Sequence, residues 1–377
     1  CLLEKDPEDV LAELKDADDD PDYQAFLEKN KYWLTPYATF RAIKDLLGEG
    51  PWQEWPDAYA RFSPGLARRV ELADGVDRHR KLQYEFQREW DELRAYANAR
   101  GIKIVGDMPM YVSGDSADVW AERDIFELDE KGYAQVQAGC PGDGFDPEGQ
   151  LWGNPTYRWD VLAARGYDWW LARLERAVKT YDYVRLDHFI GFSSYYKIAK
   201  GKPAREGSFS FGPGLDLFRA AYQKLGPLPF IAEDLGVITP AVRTLIAETG
   251  IPGMDIVQFS DGDVREGYEP KPGTVTFTGT HDNQTLLGFC QSRFGLEGDE
   301  AAQMADRIAA SVLGSKNDVA IMPLQDVLGL DDAARMNVPG VAEGNWSWQA
   351  AWEDVVAATG RLTQMAQASG RFREASA

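Results

Sequence analysis

The sequence predicts an α/β fold in which a parallel sheet is covered by helices, and three observations predict it. Beyond residue 100, short β-rich runs alternate with amphipathic stretches. The β-rich runs are nearly continuously apolar, as strands buried on both faces are. Acidic residues recur just past their ends.

Residues 1–100 read differently. Leu82, Phe86, Trp90, Leu93 and Ala97 recur at three- and four-residue spacing, and Gly101 stops the run, so this region is expected to be helical and without a strand. The acidic stretch 16–22 reads as a solvated loop. Six strand runs follow, at 102–106, 183–186, 229–232, 255–259, 275–278 and 319–322. Helical patterns lie between them near 169–179, 215–225 and 300–313. Another begins with Thr239 and Pro240 and closes at Gly250, combining a hydroxyl cap, a first-turn proline and a terminal glycine.

Either a barrel or an open sheet satisfies this alternation, and the acids decide. Asp107, Asp187, Glu233 and Asp282 fall within about a residue of a strand end, with Asp326 slightly farther on. In a TIM-type (β/α)8 barrel the carboxyl ends of all strands converge on one face, whereas an open sheet spreads them along a line. No GxGxxG or phosphate loop follows a strand, which weakens a nucleotide-binding open sheet.

Composition narrows the function. Lys plus Arg number 40 against 61 Asp plus Glu, a net charge of −21 with no basic block, which disfavours nucleic acid and anionic lipid. No apolar run spans a membrane and no secretory signal is visible, so a soluble, cytoplasmic chain is expected. Cys1, Cys140 and Cys290 are odd in number and widely spaced, which fits a reducing compartment. Twelve Trp and sixteen Tyr suit core filling first, and stacking on sugar faces second. No metal or cofactor is expected, because His188 and His281, each beside a single Asp, do not make a ligand set.

The acids suggest cleavage of a glycosidic bond, which needs one carboxyl to protonate the leaving oxygen and a second to attack the anomeric carbon or activate water. Arg185 beside Asp187 is expected to keep that carboxyl ionised. Glu233, on a longer stem after an apolar strand, is placed for partial desolvation and acid/base work. His281 and Asp282 could hold sugar hydroxyls and support the positive charge of the transition state. Each acid alone reads as easily as a helix cap or a surface carboxylate.

Their order, Arg185-Leu186-Asp187-His188, Ala232-Glu233-Asp234 and Thr280-His281-Asp282, resembles the amylomaltases, the 4-alpha-glucanotransferase or disproportionating enzyme family related to the alpha-amylases. The resemblance runs from about Tyr32 to about Trp348 through Gly106-Asp107-Met108-Pro109, Asp115-Ser116-Ala117-Asp118, Gln150-Leu151-Trp152-Gly153-Asn154-Pro155, Arg335-Met336-Asn337-Val338-Pro339-Gly340 and Gly344-Asn345-Trp346. It implies a TIM-type barrel with helical insertions. It also implies Asp187 as nucleophile, Glu233 as general acid/base and Asp282 as transition-state stabiliser. Asp107, Arg185 and His281 would bind the donor sugar, Trp152 and Gln150 would line the cleft, and Phe145 and Phe259 would also touch substrate. The implied partners are maltooligosaccharides and alpha-1,4-glucans of glycogen and starch metabolism. The 115–120 and 335–340 segments read from their residues alone as a helix start and a turn.

Six strands against the family's eight lead to the expectation that the first two barrel strands are missing. On that reading, 1–100 is a helical subdomain inserted before the third strand and 101–377 is the rest of the barrel. Gly144 stands where many members carry an aromatic residue, and the stretch between Phe259 and Val275 is short and lacks the family's Pro-His-Asn element. Three alternatives to a glucanotransferase stay open: an alpha-amylase-type hydrolase, a glucan-binding fragment without turnover owing to the missing strands, and a metal-dependent hydrolase.

Overall fold

The computed structural model describes residues 6–14, 17–142, 148–341 and 343–372. Two compact units divide the chain, one holding Cys1–Phe230 and Ile238–Thr249, the other Ile231–Val237 and Gly250–Ala377.

The first unit opens with helices α1 (Pro7–Glu13), α2 (Pro21–Leu47) and α3 (Val70–Ala99), and no strand precedes Val105 among the described residues. Asp20 caps α2, accepting from the Asp22 N–H at 2.9 Å, and Ala17 is buried, so the described part of the acidic stretch is a helix entry rather than a solvated loop. Tyr23 and Phe26 of α2 pack against Tyr84 of α3, with ring centroids 5.2 and 5.4 Å apart. The three- and four-residue spacing on α3 marks the helix correctly but not its buried face. Phe86 and Leu93 are exposed, while Leu72, Val76 and Ala97 are covered. At the end of α3, Gly101 has φ +75°. Its N–H donates to Asn98 O at 2.9 Å and the Ile102 N–H to Ala97 O at 3.0 Å, closing the last turn with a left-handed glycine.

The chain then enters β1 (Val105–Met108), followed by α4 (Ala117–Ala121), β2 (Val136–Cys140), β3 (Gln150–Pro155), α5 (Trp159–Ala164), α6 (Asp168–Thr180), β4 (Tyr183–Leu186), β5 (Ser194–Ala199), β6 (Ser208–Phe211), α7 (Leu215–Leu225), β7 (Phe230–Ala232) and α8 (Pro240–Thr249). Strands β1 and β4 are parallel, with Val105 opposite Tyr183 and Asp107 opposite Arg185. Gly106 lets β1 lie on the ring of Tyr181, because a Cβ there would fall 2.2 Å from the Tyr181 ring. The Val184 N–H reaches Pro229 O at 2.9 Å, just before β7 begins.

A separate antiparallel sheet, in the order β3-β2-β5-β6, interrupts the α/β alternation. The β2–β3 register shifts between Gln137 and Gly139, and only a glycine fits at 139, where a Cβ would sit 2.1 Å from Gln150 O. The 115–120 segment is the helix start its residues suggest: the Ser116 hydroxyl accepts from the Val119 N–H at 3.2 Å. Asp115 binds the buried Lys44 ammonium at 2.7 Å, and Lys44 also donates to the carbonyls of Gly50 and Glu49, so all three ammonium hydrogens have acceptors.

The second unit holds the parallel strands β8 (Met254–Ile256), β9 (Val275–Phe277) and β10 (Ala320–Ile321), ordered β10-β9-β8, with α9 (Leu286–Phe294), α10 (Gly298–Leu313), α11 (Leu324–Leu328) and α12 (Trp352–Ala368). The Ala232 N–H donates to Pro252 O at 2.8 Å, which sets the end of β7 parallel to the approach to β8. Ile231, Met254, Ile256, Val275 and Phe277 form the core around these strands. A second cluster packs Leu286, Phe289, Ile308 and Val312 together, with Met365 against it. The strand expected at 255–259 is shorter at its far end, because the Ser260 N–H bonds back to Val257 O and 257–259 becomes a single turn.

The α/β reading stands, and the strand runs fall within three residues of the observed ends. The helix at 240–249 has the predicted Thr239 cap, accepting from the Val242 N–H at 3.3 Å, and ends at Gly250 with φ +64°. No helix among the described residues is long and apolar enough to cross a membrane.

Asp182 ties α3 to the strand pair of the first unit. Its carboxylate accepts from the Ile104 N–H at 2.8 Å, from Asn98 at 2.9 Å and from Arg94 at 3.0 Å. Burial on its own raises this carboxyl's pKa, but the three donors outweigh it and hold the value at about 2. The folded pKa is depressed, so the stability this group contributes is present above the unfolded carboxyl value of about 4 and is lost as pH falls towards 2. Asp182→Asn should cost about 2 kcal/mol at pH 7 through its charge-assisted bonds. Urea unfolding should show a gap between the two proteins that is constant from pH 7 to 5 and narrows below pH 4. A gap that widens in acid would contradict this assignment.

Candidate functional site

In the first unit, the paired strands β1 and β4 place three charges side by side. Asp107 and Arg185 are register partners, and Asp187 lies two residues past Arg185, so all three side chains project from one face. Arg185 Nη1 donates to both Asp107 oxygens at 2.8 Å and to Asp187 Oδ1 at 2.9 Å. The Arg185 side chain is 12% exposed, whereas the Asp107 and Asp187 side chains are 44% and 41% exposed. A covered cation thus holds two carboxylates that solvent and a ligand can reach. Among the described residues Asp187 Oδ2 makes no hydrogen bond, and the Asp187 N–H continues the ladder to Met108 O at 3.0 Å.

The chain turns immediately afterwards. His188 has φ +48°, which ends the strand and drops its ring beneath Trp152, edge to face at 5.0 Å and 87°. Burial pushes the His188 imidazole down to about 4, against the opposing pull of Asp187. Trp152 in turn donates from Nε1 to Gln150 Oε1 at 3.0 Å, so the two β3 residues expected to line the site are braced together. Tyr111 closes the group, 6.1 Å from both Trp152 and His188. Phe145 lies outside the described residues, as does Gly144.

In the second unit, Glu233 follows β7 and is 8% exposed, its Oε1 accepting from the Leu235 N–H at 3.2 Å. Its neighbour Asp234 points elsewhere, bonding the Met254 N–H at 2.8 Å. Past β9, the turn at 280–283 is locked by Asn283 Oδ1, which takes both the N–H and the hydroxyl of Thr280. That lock presents His281 and Asp282, with His281 Nε2 and Asp282 Oδ2 3.2 Å apart. Phe259 is 59% exposed on the turn after β8.

The sequence reading missed what holds Asp282. Asn337 Nδ2 donates to Asp282 Oδ1 at 2.6 Å, Arg335 donates to the Asp282 carbonyl at 2.7 Å, and the Asn337 N–H donates to His281 O at 3.0 Å. Trp346 lies 5.2 Å from the His281 ring and donates its N–H to Met336 O at 2.8 Å. The segment that reads as a simple turn is therefore a brace for the His-Asp pair. An arginine and an asparagine two residues apart, ahead of Pro-Gly, were the available signal. Asp326, by contrast, is structural. It is buried, it accepts from the Thr278 hydroxyl and the Leu286 N–H at 2.7 Å each, and burial raises its pKa.

Each unit offers exposed or partly exposed carboxylates fixed by neutral or cationic donors, a chemistry suited to attack at, and stabilisation of, a cationic carbon centre. Among the described residues no group of three or more His, Cys, Asp or Glu could hold a metal ion.

Comparison with known proteins places the chain beside one family. The profile of glycoside hydrolase family 77, described as 4-alpha-glucanotransferase, matches residues 5–354. A 4-alpha-glucanotransferase of Streptococcus pneumoniae is 41% identical over 366 residues, covering 92% of this chain and 72% of the relative. One from Thermus thermophilus is 39% identical over 374 residues, covering 93% and 75%. The solved amylomaltase of Streptococcus agalactiae in complex with acarbose superposes with a TM-score of 0.85 at 36% identity, covering 93% of this chain and 74% of that one.

His188 gives a direct check on the buried ring described above. With only three histidines in the chain, its imidazole resonances can be assigned. They should titrate with a midpoint near 4, leaving the ring neutral at pH 5.5. An NMR midpoint at the ordinary value of about 6.5 would show that the ring is not sealed beneath Trp152.

Proposed function

Since the chain belongs to the 4-alpha-glucanotransferase family, we propose that it moves alpha-1,4-glucan segments between maltooligosaccharides by a double displacement in which Asp187 is the nucleophile and Glu233 the acid/base. The observation that carries this reading is the Arg185 guanidinium shared by Asp107 and Asp187. It engages Oδ1 of Asp187 and leaves Oδ2 for the anomeric carbon.

In the first step a bond forms between Asp187 and C1 as the bond from C1 to the glycosidic oxygen breaks, and Glu233 gives its proton to that oxygen. In the second, the 4-hydroxyl of an acceptor glucan attacks C1, returns a proton to Glu233 and releases Asp187. Burial of Glu233 favours a carboxyl that can be protonated at the start of the cycle. Asp282, held by Asn337, and its neighbour His281 would meet the hydroxyls of the same sugar and offset the positive charge at C1. Asp107, Trp152, Gln150 and Phe259 would complete the contacts, and Phe145 belongs to the same proposal. Acarbose on the Streptococcus agalactiae relative supports a glucan-like ligand. A cytoplasmic location is part of the same reading.

Transfer and hydrolysis differ only in the acceptor. Incubation with maltotriose should give a ladder of longer and shorter oligosaccharides, and Asp187→Asn should lower that turnover by about three orders of magnitude or more with the melting temperature little changed. Rising reducing ends without longer products would instead identify a hydrolase, and retained turnover in the variant would remove Asp187 from the role.

Glu233→Gln separates the two proton transfers. The variant should lose activity on maltotriose yet still form the covalent intermediate from alpha-glucosyl fluoride, whose leaving group needs little protonation. Equal loss with both donors would show that Glu233 is not the acid.

A further inference from the structure

We propose that a hollow of about 380 Å³ between α2, α4 and α6 of the first unit is a binding site for a small ring compound carrying a phosphate monoester, with Arg176 as the anion anchor and Trp33 as the stacking face. The proposal does not depend on the transferase reading, because its residues are separate from Asp107, Arg185 and Asp187.

Tyr32, Trp33 and Tyr37 of α2 line one side and Trp169, Arg173 and Arg176 of α6 another. The volume suits a single ring with a charged substituent, and a mixture of aromatic walls and few charged groups is what small-molecule sites between helices present. The lining carries Asp118 and Glu122 against Arg173 and Arg176, and their pairings are unequal. Glu122 is paired with Arg165 at 2.9 Å. Asp118 faces Arg173, whose Nη1 and Nη2 are committed to the carbonyls of Met110 and Pro109 at 3.1 and 2.6 Å. Arg176 is left over. Among the described residues it makes no ion pair, and its one hydrogen bond runs to Gln87 Oε1 at 2.5 Å.

A half-buried guanidinium with no carboxylate in direct contact is unfavourable, and here the acid that acts on it, Asp91, reaches it only through Gln87, which accepts from Arg176 and donates to Asp91 at 2.8 Å. Its Cζ lies 5.0 Å from the centroid of the Trp33 ring, so a guanidinium with N–H groups left to donate and an indole line the same hollow. A phosphorylated hexose and a nucleoside monophosphate share this chemistry, and the test distinguishes them.

Isothermal titration of the full chain with glucose 1-phosphate, AMP, inorganic phosphate and maltotriose should show saturable binding of at least one of the two organophosphates. Arg176→Met should weaken it by about 10-fold or more, the scale of one charge-assisted hydrogen bond, with an unchanged thermal melt. Trp33→Leu should weaken the organophosphate but leave inorganic phosphate unaffected. Binding of glucose 1-phosphate alone assigns a sugar phosphate, and of AMP alone a nucleotide. If Arg176→Met does not fold, broadening of the Trp33 indole resonance by the organophosphate in the unaltered protein serves as the readout. The proposal fails if neither organophosphate binds at millimolar concentration, if Arg176→Met binds as tightly as the parent, if the Trp33 indole is unmoved, or if uncharged maltotriose binds equally well with the same dependence on Trp33.

Discussion

One guanidinium serving two carboxylates is the constraint on which the candidate site of the first unit depends. Asp107 and Arg185 can share contacts at 2.8 Å only because β1 and β4 run parallel with those residues opposite, and Asp187 joins them only because a strand repeats every two residues. A slip of one residue would turn Asp107 to the other face and leave Arg185 with Asp187 alone. The register is secured elsewhere, by Gly106 against Tyr181 and by Asp182 bonded to the Ile104 N–H. Chemistry at the strand ends thus rests on packing at their beginnings.

Much of this was legible in the sequence, and the reason is physical. Buried parallel strands must be apolar throughout, and the residues that leave them at the carboxyl end must be polar if they are to meet a ligand. That is why the acids at 107, 187, 233 and 282 stood out as candidates, although each alone read as easily as a cap and their roles came from the family resemblance. Helix punctuation was equally direct at 239–250, where cap, proline and glycine each satisfy a different end requirement.

What stayed hidden has physical causes as well. The antiparallel sheet was missed because its strands mix polar and apolar residues without a continuous apolar run and take their order from pairing between distant segments. Its clearest local sign, the alternation Ser208-Phe209-Ser210-Phe211, leaves Phe209 and Phe211 exposed. On α3, the apolar stripe predicted the helix but not its environment, since Phe86 and Trp90 stack on each other at 6.3 Å near the surface while Lys81 and Glu85 are buried. Periodicity reports backbone geometry, and which face is covered depends on partners that the local sequence does not contain.

The brace on Asp282 shows the same limit at the level of a single residue. Asn337 is 55 positions away, in a segment whose proline and glycine mark only a turn. Yet a neutral amide is the appropriate partner for a carboxylate in the role proposed for Asp282, facing a developing positive charge. It fixes Oδ1 at 2.6 Å without neutralising the charge, whereas an arginine there would compete with the cation to be stabilised. Asp187, proposed as the nucleophile, is held by a cation instead, the Arg185 guanidinium at 2.9 Å. Two aspartates of the same intrinsic chemistry are thus held by different donors, an amide and a guanidinium, as the different tasks proposed for them require.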